Sequence, residues 1–225
     1  MILQKYKISL SNIKTIEYLD LVSSDICSLI NLKTWDNYKY FITFLDKSTR
    51  FLEVILLKKK SKALNAFKVY KAKAKNQSNK RIKRLRTNNN SEYVNTNFKY
   101  TLNKFSILHK KTAPYTKEPN SLIEHINLTL LNKVRSIIYT ANLPRYLWRE
   151  ALNTAIFLYN RTPHSALDLI IPFKALNKSK PIISNIKVFS SLYYYKDNSF
   201  KLKLDPRGRK AILIRYSKEA NLYKI

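Results

Sequence analysis

Three polar positions, Asp25, Asn88 and Glu124, are the residues of this sequence best suited by type and spacing to chemistry. Asp25 ends a short apolar stretch, Asn88 ends the segment IKRLRTN, and 35 residues, positions 89 to 123, separate Asn88 from Glu124. Carboxylate oxygens are the ligands that hard cations such as Mg²⁺ prefer, and pairs of such ions catalyse phosphoryl transfer. An amide at the middle position offers a neutral oxygen and no charge.

Each of these residues also has a plain structural interpretation. An Asp at a strand end commonly caps a turn, and a Glu near a helix start commonly complements the helix dipole. Neither residue alone indicates a site, so the functional interpretation depends on the spacing and on the surrounding segments.

The elements that position these residues alternate in an α/β pattern. Runs of β-forming residues predict strands at 18–26, 38–45, 50–57, 82–86 and 106–109, the first three as an antiparallel meander. Apolar residues at helical spacing predict helices at 63–74, 96–105, 122–141 and from Pro144 to about 158. Short strands at 187–195 and 211–216 flank a predicted turn that contains Pro206 and Gly208.

The net charge points to a polyanionic partner. The 225 residues include 43 Lys and Arg against 14 Asp and Glu, a formal charge of +29. Such a chain attracts nucleic acid, DNA or RNA. Two alternatives stay open: a solvated basic surface without a partner, and a mutational bias from G to A that depletes Gly and acidic residues together.

Rare residue types exclude several other classes. The single cysteine, Cys27, excludes a disulfide framework, and the three histidines are too scattered for a zinc motif. Neither a signal peptide nor an apolar run of membrane-spanning length is visible, which predicts an intracellular location in the nucleus or cytoplasm. Only one glycine, Gly208, is present, so turns that need positive φ must use Asn, Asp or Ser at a cost in stability.

Several blocks, in addition to the segment around Asn88, carry a family resemblance, and they occur in this order: YKYFITFLDKSTRF (38–51), KTAPYTKEPNSLIEHINLTLL (111–131), ANLPRYLWREALNTAIFLYNRTPHSAL (141–167) and the segment 186–216. Together they resemble the integrase core of copia-type retrotransposons, a branch of the ribonuclease H-like polynucleotidyl transferases. The resemblance implies a central mixed five-stranded sheet flanked by helices, followed by the start of a small β-barrel. It implies a polyprotein fragment, or a gene derived from one.

The resemblance also assigns roles to the three polar positions. Family members carry Asp, Asp and Glu there, bind Mg²⁺ and transfer DNA strands. Asp25 and Glu124 then correspond to catalytic metal ligands, and Asn88 replaces the second catalytic Asp. Catalysis is therefore expected to be lost or severely reduced. Asp20 and Asp46 are poor substitutes, because Asp20 lies too far along the strand and Asp46 suits a turn. Glu92 is nearer, but a supporting role in the loop suits it better.

The domain boundaries and the partner surface complete the expectations. We expect a basic lead-in at 1–14, the core at 15–178 and the partial barrel at 186–225. The candidate nucleic-acid-binding residues are Arg86, Lys110, Lys111, Lys117, Arg207, Arg209 and Lys210. Family members act as multimers, so the resemblance implies self-association, and no membrane partner is expected. The rival hypotheses are a non-functional relic that folds poorly, a co-opted DNA- or RNA-binding module, and an active enzyme with an unusual metal site.

Overall fold

One mixed sheet of five strands organises the fold. The structure is a computed structural model that describes residues 16–28, 34, 36–111, 118–196, 208–216 and 223–224. The sheet has the order β3-β2-β1-β4-β5, with β1 (Val22–Ser28), β2 (Tyr40–Asp46), β3 (Leu52–Leu57), β4 (Arg84–Thr87) and β5 (Leu108–Lys111). The first three strands pair antiparallel, and β4 and β5 continue the sheet in parallel with β1. The predicted α/β core is confirmed.

In the described residues, six helices accompany the sheet: α1 (Ala63–Ser78), α2 (Ser91–Val94), α3 (Thr96–Lys104), α4 (Glu118–Thr140), α5 (Trp148–Tyr159) and α6 (Pro172–Asn177). The apolar spacing located the long helices to within a few residues. The predicted start at Pro144 was wrong, because a 3-10 turn at Arg145–Leu147 intervenes before α5. None of the helices in the described part combines the length and apolar character that a membrane crossing requires.

The sheet separates two hydrophobic cores. On one face, α1 and α3 bury residues such as Phe67 and Phe98, and Tyr70 stacks on Phe44 with ring centroids 4.3 Å apart. On the other face, α4 and α5 pack against β1, β2 and β3, and Trp148 is 2% exposed there. Each large side chain buried in this way contributes roughly 1.5–3 kcal/mol, so both faces stabilise the sheet.

All five predicted core strands begin two to four residues later than their sequences indicated, and a turn precedes three of them. The strands predicted from 18, 50 and 106 start at Val22, Leu52 and Leu108. Leu19, Arg50 and Ser106 have φ values of 68°, 55° and 53°, which no strand accommodates. Their apolar neighbours suggested strands, but the backbone turns at these three positions.

The scarcity of glycine leaves strained turns. Ten non-glycine residues in the described part have positive φ, and the one glycine does not. Six of them are Asn, Asp or Ser, as predicted, and four are residues that tolerate this region less well: Leu19, Arg50, Leu169 and Lys178. Gly208 itself begins a strand, where an added Cβ would meet open space, so its place in the predicted turn was wrong. Pro206, the other residue of that turn, lies outside the described residues.

Lys178 offers a direct test of this strain. It ends α6 with φ of 61°, and its N–H donates to the Lys174 carbonyl. We expect Lys178→Gly to raise the free energy of unfolding by about 0.5–1 kcal/mol, because glycine adopts this conformation freely. Lys174→Gly also removes one lysine charge, but from inside α6, and it should lower the free energy of unfolding by a similar amount. Urea unfolding of both variants checks this, and equal effects would contradict it.

The C-terminal segment packs on the core. Strands β6 (Leu192–Lys196) and β7 (Gly208–Ile212) form one two-stranded sheet, and β8 (Arg215–Tyr216) and β9 (Tyr223–Lys224) form another. Leu213 is fully buried, and Tyr216 stacks on Phe157 of α5 with ring centroids 4.7 Å apart. The segment therefore shares apolar contacts with α5, and its strands lie several residues from the predicted positions.

Candidate active site

Asp25 lies in the middle of β1, on the sheet face that α4 covers. Its Cα pairs with Thr43 of β2, and the Thr43 hydroxyl donates to the Asp25 backbone carbonyl at 3.1 Å. The residue is only 8% exposed. The expectation that Asp25 ends the strand was wrong, because β1 continues to Ser28. Its carboxylate is thus held by a rigid strand rather than by a loop.

Asn88 meets the Asp25 carboxylate from the neighbouring strand. It follows β4, which runs parallel to β1. The Asn88 Nδ2 donates to Asp25 Oδ1 at 2.9 Å, and the Asn88 Oδ1 accepts from the Asn90 N–H at 3.3 Å. The carboxylate dictates this orientation, since a rotated amide would set two acceptor oxygens against each other.

Asn127 completes the surroundings of Asp25, and the sequence analysis did not identify it. Its Nδ2 donates to Asp25 Oδ2 at 2.9 Å, and the residue is 4% exposed. Asn127 lies three positions after Glu124 on α4, so both fall on the same side of that helix. This spacing was a usable signal. We call the three residues Asp25, Asn88 and Asn127 the amide clasp.

Glu124 lies beside the clasp on an exposed part of α4. Burial raises the pKa of the Asp25 carboxyl, and the negative charge of Glu124 raises it further. Hydrogen bonds from the Ile26 backbone and from Asn127, together with the charge of Lys60, act in the opposite direction. The structure therefore brings Asp25, Asn88 and Glu124 near one another, the grouping that the family resemblance implied.

The other acidic candidates have structural roles. Asp46 is 1% exposed and accepts hydrogen bonds from Leu19, Ser48 and Thr49 in the turn after β2, which confirms its predicted role. Asp20 pairs with Lys83 at 2.7 Å. Glu92 lies on α2 with its Oε1 3.8 Å from the Lys60 Nζ. None of these ion pairs and hydrogen bonds involves Asp25.

The sequence of this chain is similar to those of known proteins. Residues 18–117 match the integrase core domain family. The chain is 33% identical over 216 residues to the retrovirus-related Pol polyprotein from transposon TNT 1-94 of Nicotiana tabacum, an alignment that covers 96% of this chain. It belongs with the integrase cores of retrotransposon Pol polyproteins. The polyprotein from transposon RE2 of Arabidopsis thaliana is 29% identical over 218 residues.

Solved structures agree with this integrase core in fold. A chain of the simian T-cell lymphotropic virus intasome in complex with PP2A regulatory subunit B56 gamma has a TM-score of 0.59 at 18% identity, over 88% of this chain and 69% of that one. The HTLV-2 integrase catalytic core domain in complex with magnesium, in a trimeric form, has a TM-score of 0.54 at 16% identity. The match covers 73% of this chain and 100% of that one. This integrase core spans only 14% to 16% of the length of the two polyproteins.

The residues of this integrase core do not fit a two-metal site. Both Asp25 oxygens accept N–H bonds from amides, and Asn88 directs its NH2 group, which cannot bind a cation, into the site. In the part of the chain that the structure describes, no three His, Cys, Asp or Glu side chains are placed to hold a metal ion. Of the three carboxylates that the resemblance implies for Mg²⁺, Asp25 and Glu124 are present, and an amide replaces the one at position 88.

Five of the seven candidate phosphate-binding cations lie in the described residues, and they fall into three groups. Arg86 on β4 and Lys110 on β5 are Cα partners, so they share one face of the sheet next to the site. Lys111 follows Lys110 and therefore faces the other side. Arg209 and Lys210 lie on β7, in the separate two-stranded sheet. The remaining two candidates, Lys117 and Arg207, lie outside the described residues.

Proposed function

We propose that this integrase core binds nucleic acid and has lost the DNA strand-transfer chemistry associated with its family. The observation that carries the proposal is the amide clasp. A carboxylate that accepts one N–H at each oxygen is satisfied without a cation, and the residue that replaces the second acid supplies one of those N–H groups.

Retention of binding is supported by charge. The formal charge of +29 is unusual for 225 residues, and Arg86 and Lys110 lie together on the strands next to Asp25. Loss of a metal ligand does not remove these cations, so the affinity for phosphates can outlast the chemistry. Self-association belongs to the same proposal, because the two structural neighbours are an intasome and a trimeric core.

A titration of labelled duplex DNA at 50 to 200 mM KCl tests the binding. The affinity should fall with salt with a log–log slope near −0.9 per neutralised phosphate. A duplex RNA of equal length provides the comparison. Binding that stays constant across this range would contradict the electrostatic basis of the proposal.

A joining assay tests the lost chemistry separately. Short duplex ends and plasmid DNA are incubated with the protein and 10 mM Mg²⁺, with Asp25→Asn as the blank. We expect the wild type to give no product above the blank, because Asn88 contributes no charge to a cation site. Products that exceed the blank would overturn the loss of activity and leave the binding result unaffected.

The positive-φ turns favour one rival, a relic that folds poorly. Ten residues in the described part have positive φ, and each unfavourable one costs about 1–2 kcal/mol. Their sum is a substantial fraction of the free energy of unfolding of an ordinary domain. Urea unfolding followed by circular dichroism separates the hypotheses. A single cooperative transition supports a folded binding module, and a gradual loss of signal supports the relic.

A further inference from the structure

The two faces of the sheet are covered unequally. On the face that packs against α1 and α3, β4 contributes the buried Leu85, and Ile107 is buried just before β5. On the other face, the strand residues of the core come from β1, β2 and β3, and these are the strands that α4 and α5 mainly contact. Within the described residues, neither helix packs its core residues on the outer half of this second face, formed by β4 and β5, which we call the open half.

Four cations occupy or border this open half. Arg84 and Arg86 alternate along β4 with the fully buried Leu85 and Thr87, so their side chains lie on the open face. Their partners on β5 are Leu108 and Lys110, and Leu108 is 58% exposed although it faces the sheet side that is apolar elsewhere.

Lys47 adds a fourth cation from the end of β2. Burial lowers the pKa of Lys47, and the charges of Arg86, Arg50, Arg84 and Lys110 lower it further. The cations are thus close enough to repel one another, a cost that a bound polyanion would relieve. We call Lys47, Arg84, Arg86 and Lys110 the open-face patch.

The acidic residue Asp20 borders the patch. The Arg84 Nε donates to the Asp20 backbone carbonyl at 3.0 Å, and the Asp20 carboxylate is paired with Lys83. That pairing leaves the patch with an excess of positive charge. Its four cations also spread over β2, β4 and β5 instead of converging on one pocket, which suits an extended anion better than a single phosphate.

The patch leads to the amide clasp. Arg86 is the Cα partner of Ser23, and Ser23 lies two residues before Asp25 on the same face of β1. Two residues along a strand span about 6.6 Å. We propose that the open-face patch binds the phosphodiester backbone of a nucleic acid along a path that ends at Asp25. This inference rests on the proposed nucleic-acid binding and assigns it a surface.

A pair of charge-matched double variants tests the surface. Lys47→Gln with Lys110→Gln removes two patch charges, and Lys68→Gln with Lys99→Gln removes two exposed charges from α1 and α3 on the opposite side. Affinity for a 20-bp DNA duplex is measured at 50 to 200 mM KCl. The patch variant should reduce the magnitude of the salt slope by about 1.8, so its affinity loss over this range is about 12-fold smaller than that of wild type.

The control variant should change the slope by much less, because its lysines face away from the path. Equal salt slopes for the two variants would overturn the assignment of binding to the open-face patch and leave the proposed nucleic-acid binding intact. Absence of wild-type binding would reject the proposed function itself. Lysine acetylation followed by mass spectrometry provides a check that needs no variant: the duplex should protect Lys47 and Lys110 and leave Lys68 and Lys99 reactive, and the opposite pattern contradicts the inference.

Discussion

Asn88→Asp is expected to lower the free energy of unfolding by about 2–4 kcal/mol at pH 7 in buffer without divalent ions. The substitution removes an N–H donor from Asp25 Oδ1 and sets a second carboxylate beside the first. A hydrogen bond to a charged group contributes about 1.5–3 kcal/mol, and the repulsion adds to its loss. At about 2–4 °C per kcal/mol for a chain of this size, the melting temperature should fall by roughly 4–16 °C.

Magnesium should reverse part of this loss in the variant alone. With two adjacent carboxylates and Glu124 nearby, Asn88→Asp recreates the ligand set that hard cations require. Mg²⁺ at ten times its dissociation constant would restore about 1.4 kcal/mol. The wild type should show no comparable gain, because its Asp25 oxygens are occupied by amide N–H groups. A thermal melt with and without 10 mM Mg²⁺ measures both effects.

Asn88→Ser is the matched control. It removes the amide donor without adding a charge, so it should be less destabilised than Asn88→Asp and insensitive to Mg²⁺. A wild type that gains as much from Mg²⁺ as Asn88→Asp would show that the clasp does not exclude the metal. Equal stability of wild type and Asn88→Asp in metal-free buffer would show that the clasp contributes nothing.

The pH dependence of Asn88→Asp follows from the same repulsion. Two adjacent carboxylates raise each other's pKa in the folded state above the unfolded values, as burial and Glu124 already do for Asp25. Stability from such groups is present below the unfolded pKa and is lost as the pH rises through the folded pKa. The deficit of Asn88→Asp relative to wild type should therefore be smaller at pH 4 than at pH 7.

Local sequence patterns predicted the elements but not all of their ends. The seven residues of β2 form a nearly continuous apolar run, and the structure buries six of them. Leu19 looks the same locally, yet it lies in a turn and donates its backbone N–H to Asp46, 27 positions away. A contact at that distance along the chain is invisible to periodicity, so the start of β1 could not be inferred.

The candidate site was predicted only in part, because it too depends on contacts between residues that are distant along the chain. Parallel pairing of β1 and β4 brings Asp25 and Asn88 together, and the family resemblance implied that proximity. The direction of the Asn88 amide depends on the charge of its neighbour, which a residue-by-residue comparison with a metal site does not include. Asn127 was missed because its role depends on the orientation of α4 across the sheet, although its spacing from Glu124 was available.

Asp46→Asn should destabilise the protein at least as much as Asn88→Asp, with a loss of about 3–5 kcal/mol in the free energy of unfolding. Asp46 is 1% exposed. Its Oδ1 accepts from the Leu19 N–H, while its Oδ2 accepts from Ser48 and from both the N–H and the hydroxyl of Thr49. An amide would turn an NH2 group toward one of these two sets of donors and leave buried N–H groups unpaired, whichever way it rotates.

Ser48→Ala is the control for Asp46→Asn. It removes one donor to the same Oδ2 while the two Thr49 bonds remain, so its cost should be about 1.5 kcal/mol, the lower end for a hydrogen bond to a charged group. Urea unfolding at pH 7, followed through the buried Trp148, compares the two variants with wild type. A cost for Asp46→Asn no larger than that for Ser48→Ala would show that the turn after β2 does not hold Leu19. Since Asp46 lies outside the clasp, a large cost without a change in the Mg²⁺ response would also separate the stability of the sheet from the chemistry at Asp25.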